Sequence, residues 1–155
     1  MVRTLHEELQ SDQPYPLEEA VHLSIVRTAA VLDHAFAQVL KPHGLTPAQY
    51  NVLRILRGAG DDGLCVYEVA GRMLRPVPDM PRMLDRLKQM RLIVRRRATE
   101  DRRMVRAHIT PKGLALLHTL DGPIREVHEQ RLAHMNRTRL AALLDTLDQL
   151  RNPET

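Results

Sequence analysis

"RRRATEDRRMVRAHITPKG", residues 95–113, sets seven basic residues against two acids, then runs through an alternating segment into Thr-Pro-Lys-Gly. In that segment Val105, Ala107 and Ile109 alternate with Met104, Arg106 and His108, the two-residue period of a strand. Leu92 to Arg96 is strand-like as well, and Ala98 to Asp101 supplies the turn between them. Thr110 reads as an N-cap with Pro111 at the first position of a helix. The whole is a β-hairpin feeding a helix. Like charge crowded into one hairpin costs stability, so an oppositely charged partner outside the chain is expected to offset it.

Working upstream, "RPVPDMPRMLDRLKQM" (residues 75–90) places Met80, Met83, Leu84, Leu87 and Met90 on one helical stripe. Arg82, Asp85 and Gln89 take the opposite face, flanked by Arg86 and Lys88, and Asp79 is positioned to cap the helix. Before it, Tyr67 to Leu74 reads as a short helix, Leu64-Cys65-Val66 as a very short strand, and Gly58 to Gly63 as a loop. "TPAQYNVLRILRG", residues 46–58, has an N-cap Thr46 and Pro47 at the first helical position.

Long apolar helices bracket this unit. From Leu17 the residues Leu17, Val21, Ile25, Leu32, Phe36 and Val39 follow a helical period, widened by Ala20, Val26, Ala29, Ala30, Val31 and Ala35. A helix apolar nearly all round must be covered on several sides, which in a chain of 155 residues suggests a partner subunit. Pro42, His43 and Gly44 end it. After the hairpin, Leu114, Leu117, Leu120, Ile124, Val127 and Leu132 line a helix running to about Met135, with a kink expected at Asp121-Gly122-Pro123. Asn136 caps a last helix with Leu140, Leu143, Leu144, Leu147 and Leu150.

The order is that of a winged helix-turn-helix, a fold mainly α with a small β-hairpin wing. Its second paired helix enters the major groove of double-stranded DNA, and a basic hairpin tip can reach the minor groove. Charge distribution agrees. Arg72 to Gly113 holds 13 Lys/Arg and four acids, net +9, whereas the remainder holds 10 Lys/Arg and 15 acids, net −5. One basic lobe on an acidic frame is the footprint of a nucleic-acid binder.

At these residues the sequence resembles the MarR family of bacterial transcription regulators. "LDRLKQMRLIVRRRATEDRRMVRAHITPKG" (84–113) is similar to that family's recognition helix, wing and following helix, and "HGLTPAQYNVLRIL" (43–56) to its second helix. The resemblance implies one subunit spanning 1–155, with dimerisation helices at 17–45 and 111–151 and a DNA-binding lobe at 46–110. It implies a homodimer on a pseudo-palindromic operator, most often as a repressor, with a small-molecule effector bound between the dimerisation helices and the lobe. The family's D-x-R element falls on Asp101 and Arg103, so Asp101 would brace the wing while Arg103 reaches the minor groove. Arg82 would face the major groove. Arg75, Arg86 and Arg102 would touch phosphates, Asp79 is counted with them as a DNA-binding residue, and Arg106 would contact DNA or support the wing. The chain departs from the family in Pro78 and Pro81, where many relatives carry base-reading hydroxyl residues, and in Arg91, where a Gly often precedes the wing.

Other readings are weaker. A winged helix serving as a protein-interaction module and a nonspecific architectural DNA binder remain the alternatives. The sequence holds no nucleophile–base pair, phosphate-binding Gly loop or paired-carboxylate motif, so neither catalysis nor a cofactor is expected. One cysteine excludes an intrachain disulfide; Cys65 reads as a small buried hydrophobe. His118, His128 and His134 lack the spacing of helical metal ligands. No apolar run is expected to approach the ~18 residues of a membrane span. The N-terminal "MVRTLHEELQSDQ" lacks a hydrophobic signal core. The protein is therefore expected to be cytoplasmic, with no membrane partner.

Overall fold

A computed structural model describes residues 4–98 and 103–152. In chain order these form α1 (Leu5–Glu8), α2 (Leu17–Leu40), α3 (Pro47–Ala59), α4 (Val66–Gly71), α5 (Met80–Gln89), β1 (Ile93–Arg97), β2 (Val105–Ile109), α6 (Pro111–Leu132) and α7 (Arg137–Arg151). The architecture is the winged helix-turn-helix expected, with long helices before and after it.

Local chemistry sets most boundaries. Gly44 adopts φ 67° after the tight turn Lys41–His43, a conformation that suits glycine and breaks the run from α2. Thr46 Oγ1 then accepts the Gln49 N–H at 3.2 Å, while Gln49 Oε1 accepts the Thr46 N–H at 3.0 Å. This reciprocal pair fixes the start of α3. Asn136 Oδ1 starts α7 by accepting the Arg139 N–H at 2.9 Å.

The core joins α2, α3, α4, α5, the hairpin and α6 through Leu40, Val52, Leu53, Leu56, Val69, Leu84, Leu87, Leu92, Ile93, Leu117 and Leu120. Each buried leucine contributes about 1.5–3 kcal/mol of transfer free energy. The hairpin is antiparallel, with Ile93 opposite Ile109 and Arg97 opposite Val105. The Ala98 N–H donates to the Met104 carbonyl at 2.8 Å and continues the ladder toward the tip.

Several boundaries differ from expectation. Leu64-Cys65-Val66 is not a strand. Only Leu64 pairs, exchanging both backbone hydrogen bonds with Ala107 at 3.0 and 2.7 Å, because Cys65 is already the N-cap of α4. Gly63, at φ 61°, lets that bridge close: a Cβ there would lie 2.7 Å from the Ala107 carbonyl and 2.5 Å from the His108 ring. Helix α4 ends at Gly71 rather than Leu74. The Asn51 side chain takes the Leu74 N–H at 2.9 Å, and the prolines that follow do not continue a helix. Helix α6 stops at Leu132, a turn before Met135; that it is one helix with Pro123 inside it is as expected. Both strands begin one residue later than expected. Short α1 was not foreseen; Thr4 and Glu7 cap it, and Glu8 pairs with Arg27 of α2 at 3.4 Å.

Helix α2 has only Leu40 buried within the chain, and α7 has no buried residue among those described. Leu17, Val21, Val26, Val31 and Leu32 on α2, with Leu143, Leu144 and Leu150 on α7, stand exposed. Within Leu17–His43 the most apolar 18-residue window has a mean hydropathy of 1.2, which by length and composition alone would suffice to cross a bilayer. It is an average and not an unbroken apolar run, since Arg27 and Asp33 interrupt the apolar sequence. The helix is nonetheless tied into the protein's own frame: Arg27 and Asp33 pair with Glu8 and Arg75, and Phe36, Val39 and Leu40 pack on the core.

Candidate nucleic-acid interface

Helix α5 sorts its residues cleanly. Met80, Leu84 and Leu87 are buried and Met83 and Met90 half-buried, whereas Arg82, Asp85, Arg86, Lys88 and Gln89 are exposed. Asp79 Oδ1 caps the helix by accepting the Arg82 N–H at 3.0 Å, and Pro81 sits in the first turn, where its missing N–H is no loss. The outer face therefore presents three cations on a rigid element beside the hairpin.

The end of α5 explains Thr-Pro-Lys-Gly. Arg91 adopts φ 61°, its N–H donating to Lys88 O at 2.9 Å and the Leu92 N–H to Leu87 O at 3.0 Å. This paired-bond C-cap normally places glycine at the left-handed position, so the departure at Arg91 leaves the backbone geometry intact and loads it with side-chain strain. The start of α6 clasps the same turn. Thr110 Oγ1 donates to Arg91 O at 2.8 Å and accepts the Gly113 N–H at 3.1 Å, and Lys112 Nζ donates to Met90 O at 3.0 Å. Gly113 packs so close that a Cβ would lie 2.4 Å from Leu92 O. Helix α5, wing and α6 thus meet in one hydrogen-bonded joint.

The basic residues divide by partner. Arg82 and Arg86 are exposed on the outer face of α5, and Arg103 is exposed where the hairpin returns toward β2. Arg95 donates to Asp85 at 2.9 Å and is only 23% exposed, tying β1 to α5. Arg106 Nη1 donates to Gly63 O at 3.2 Å and reaches Asp62 O at 3.5 Å, so it braces the wing against the loop before α4. Arg75, in the turn before α5, pairs with Asp33 of α2. Asp79 serves as the helix cap. Asp101 and Arg102 lie outside the described residues. The sequence reading missed Asp33, Asn51 and the Arg95–Asp85 pair, whose partners become neighbours only once the fold brings them together.

Three further groups of side chains complete the lobe and its borders. Cys65 is buried; its thiol and its N–H both donate to Glu68 Oε2, at 2.9 and 2.8 Å, and these bonds hold the Glu68 carboxyl below the usual range. Phe36 meets Tyr50 edge-on at 5.2 Å and stacks on His128 at 6.0 Å, and burial pushes the Tyr50 phenol upward. Arg57 Nη1 bridges both Asp121 oxygens at 3.0 and 2.9 Å, joining α3 to α6. Among the described residues no three His, Cys, Asp or Glu side chains converge as a metal set.

Comparison with known proteins supports the same reading. A family model described as MarR family matches residues 43–104. The chain is 32% identical over 106 residues to the HTH-type transcriptional regulator MhqR of Bacillus subtilis, covering 66% of this chain and 71% of that protein. The crystal structure of a MarR transcription factor from Planctomyces limnophilus is 31% identical, with a TM-score of 0.66, over 88% of this chain and 98% of that one. CouR from Rhodococcus jostii, solved with p-coumaroyl-CoA bound, shares the fold at 22% identity and a TM-score of 0.76, over 92% and 99% of the two chains. A capped helix with a cationic outer face, locked to a basic hairpin and set among these relatives, places the chain in the MarR family of DNA-binding transcription regulators.

Proposed function

We propose that the protein is a homodimeric repressor that acts in the cytoplasm and reads a pseudo-palindromic operator. Arg82 faces base edges in the major groove, Arg75, Arg86 and Arg102 hold phosphates, Arg103 enters the minor groove, and Asp101 braces the wing. The carrying observation is the outer face of α5, where Arg82, Arg86 and Lys88 stand exposed over a buried apolar stripe. Asp79 and Arg106 act through position, as cap and wing brace. The uncovered leucines and valines of α2 and α7 support a second subunit, since a patch of that kind marks an interface.

A ligand response fits the same frame. A cleft of about 360 Å³ lined by His43, Met90, Leu92, Lys112 and Leu116 lies between the ends of α2 and α5 and the start of α6. CouR, with the same fold, binds p-coumaroyl-CoA. A small molecule in such a cleft would change the spacing of the two α5 helices and shift the population that fits DNA.

The test is fluorescence anisotropy with a palindromic duplex and its single half-site, alongside sedimentation. Two protomers per palindrome are expected, with R82A losing selectivity by about 1–3 kcal/mol. One protomer bound equally to both duplexes would overturn the dimeric reading.

A further inference from the structure

Among the lobe's cations, Arg75 is paired in a way that leaves it able to leave. Arg95 is 23% exposed in its pair with Asp85, and Arg106 is half-buried against backbone carbonyls; both belong to the wing's scaffold. The Arg75 side chain is 67% exposed and that of its partner Asp33 is 44% exposed. The backbone beside Arg75 is fixed, because buried Asn51 holds the Leu74 N–H and prolines follow at 76 and 78. A side-chain swing is thus the one adjustment open to Arg75. It sits in the turn leading to Asp79 and α5, the end of a recognition helix that approaches the groove and its flanking phosphates.

We propose that Asp33 is an internal competitor for DNA: its carboxylate occupies the Arg75 guanidinium in the free protein, and a backbone phosphate must displace it. The proposal rests on the DNA-binding reading above and adds a residue of α2 that sets the lobe's affinity. A phosphate and a carboxylate each offer the planar guanidinium two acceptor oxygens, so the two compete for the same Arg75 donors. An exposed pair biases such an exchange by roughly 1.5- to 5-fold. Because Asp33 lies on the long helix whose apolar face is uncovered, the exchange also links DNA occupancy to α2.

Anisotropy titrations of wild type, D33N, R75Q and the double variant on a mixed-sequence duplex, across low salt, test this. R75Q is expected to weaken binding and lower the salt slope by about one phosphate contact. D33N is expected to bind roughly 2- to 5-fold tighter, with the gain abolished in the R75Q background. Melting curves of each variant check that the fold is kept. Weaker or unchanged binding by D33N overturns the proposal. So does a D33N gain that survives R75Q, which would mark a general charge effect. If R75Q binds like wild type while R82A does not, Arg75 is no contact and the DNA reading stands. If none of the four proteins binds DNA, the DNA reading itself fails.

Discussion

Gly113→Ala tests the joint between α5, the wing and α6. Two effects oppose each other. Inside a helix, alanine is favoured over glycine by about 1 kcal/mol. Against this, the new Cβ would stand 2.4 Å from the Leu92 carbonyl oxygen and 2.7 Å from Ile109 Cγ1. The oxygen cannot retreat cheaply, since it accepts the Thr110 N–H at 3.0 Å and Leu92 is itself pinned to Leu87. Overpacking of a well-filled site costs about 1–3 kcal/mol, and contact with fixed backbone belongs at the upper end. The net expectation is a loss of about 2 kcal/mol, a fall in Tm of about 4–8 °C for a chain of this size. Gly58→Ala is the matched control: it lies in α3, and a Cβ there meets nothing within 4 Å. It should gain up to about 1 kcal/mol and raise Tm slightly. Thermal unfolding followed by circular dichroism, at one fixed protein concentration, reads both. A G113A variant melting at or above wild type would refute the claim that the joint is close-packed.

Asn51→Ala removes the acceptor of the Leu74 N–H and should lower stability by about 1–2 kcal/mol, read as a lower urea midpoint. Arg91→Gly relieves a left-handed φ of 61° and should melt at or above wild type, while Arg91→Val, β-branched at the same position, should melt lower. Glu68 has a depressed carboxyl pKa in the fold, so its contribution is fully present above the unfolded value of about 4.3 and is lost below it, as pH falls through the lower folded value. A pH series of melts should show E68Q losing part of the wild type's acid-side decline; an identical decline would refute the role of the Cys65 bonds.

The sequence carried the winged helix-turn-helix because its signals are local. Thr46-Pro47, Asp79 with Pro81, Thr110-Pro111 and Asn136 each cap a helix as expected, and the stripe from Met80 to Met90 faces inward. The errors arose where tertiary bonds override propensity. Residues 64–66, Leu-Cys-Val, look apolar and strand-like, yet Cys65 caps a helix; α4 is cut short by an asparagine from α3. The cationic face of α5 was legible from the period of α5 alone. The partners of Arg75, Arg95 and Arg106 were not, because Asp33, Asp85 and the Gly63 carbonyl lie on other elements. Arg91 was visible as a departure from the family, but only its φ shows what the departure means.

The most direct test of the central claim is anisotropy with a duplex from the DNA upstream of the protein's own coding sequence, against a scrambled duplex of the same composition, over a salt series. The account predicts selective binding to the native duplex, with an affinity that falls steeply as salt rises, as neutralised phosphates release their counterions. Binding too weak to detect on either duplex at low salt, from a protein shown to be folded and dimeric, would contradict it.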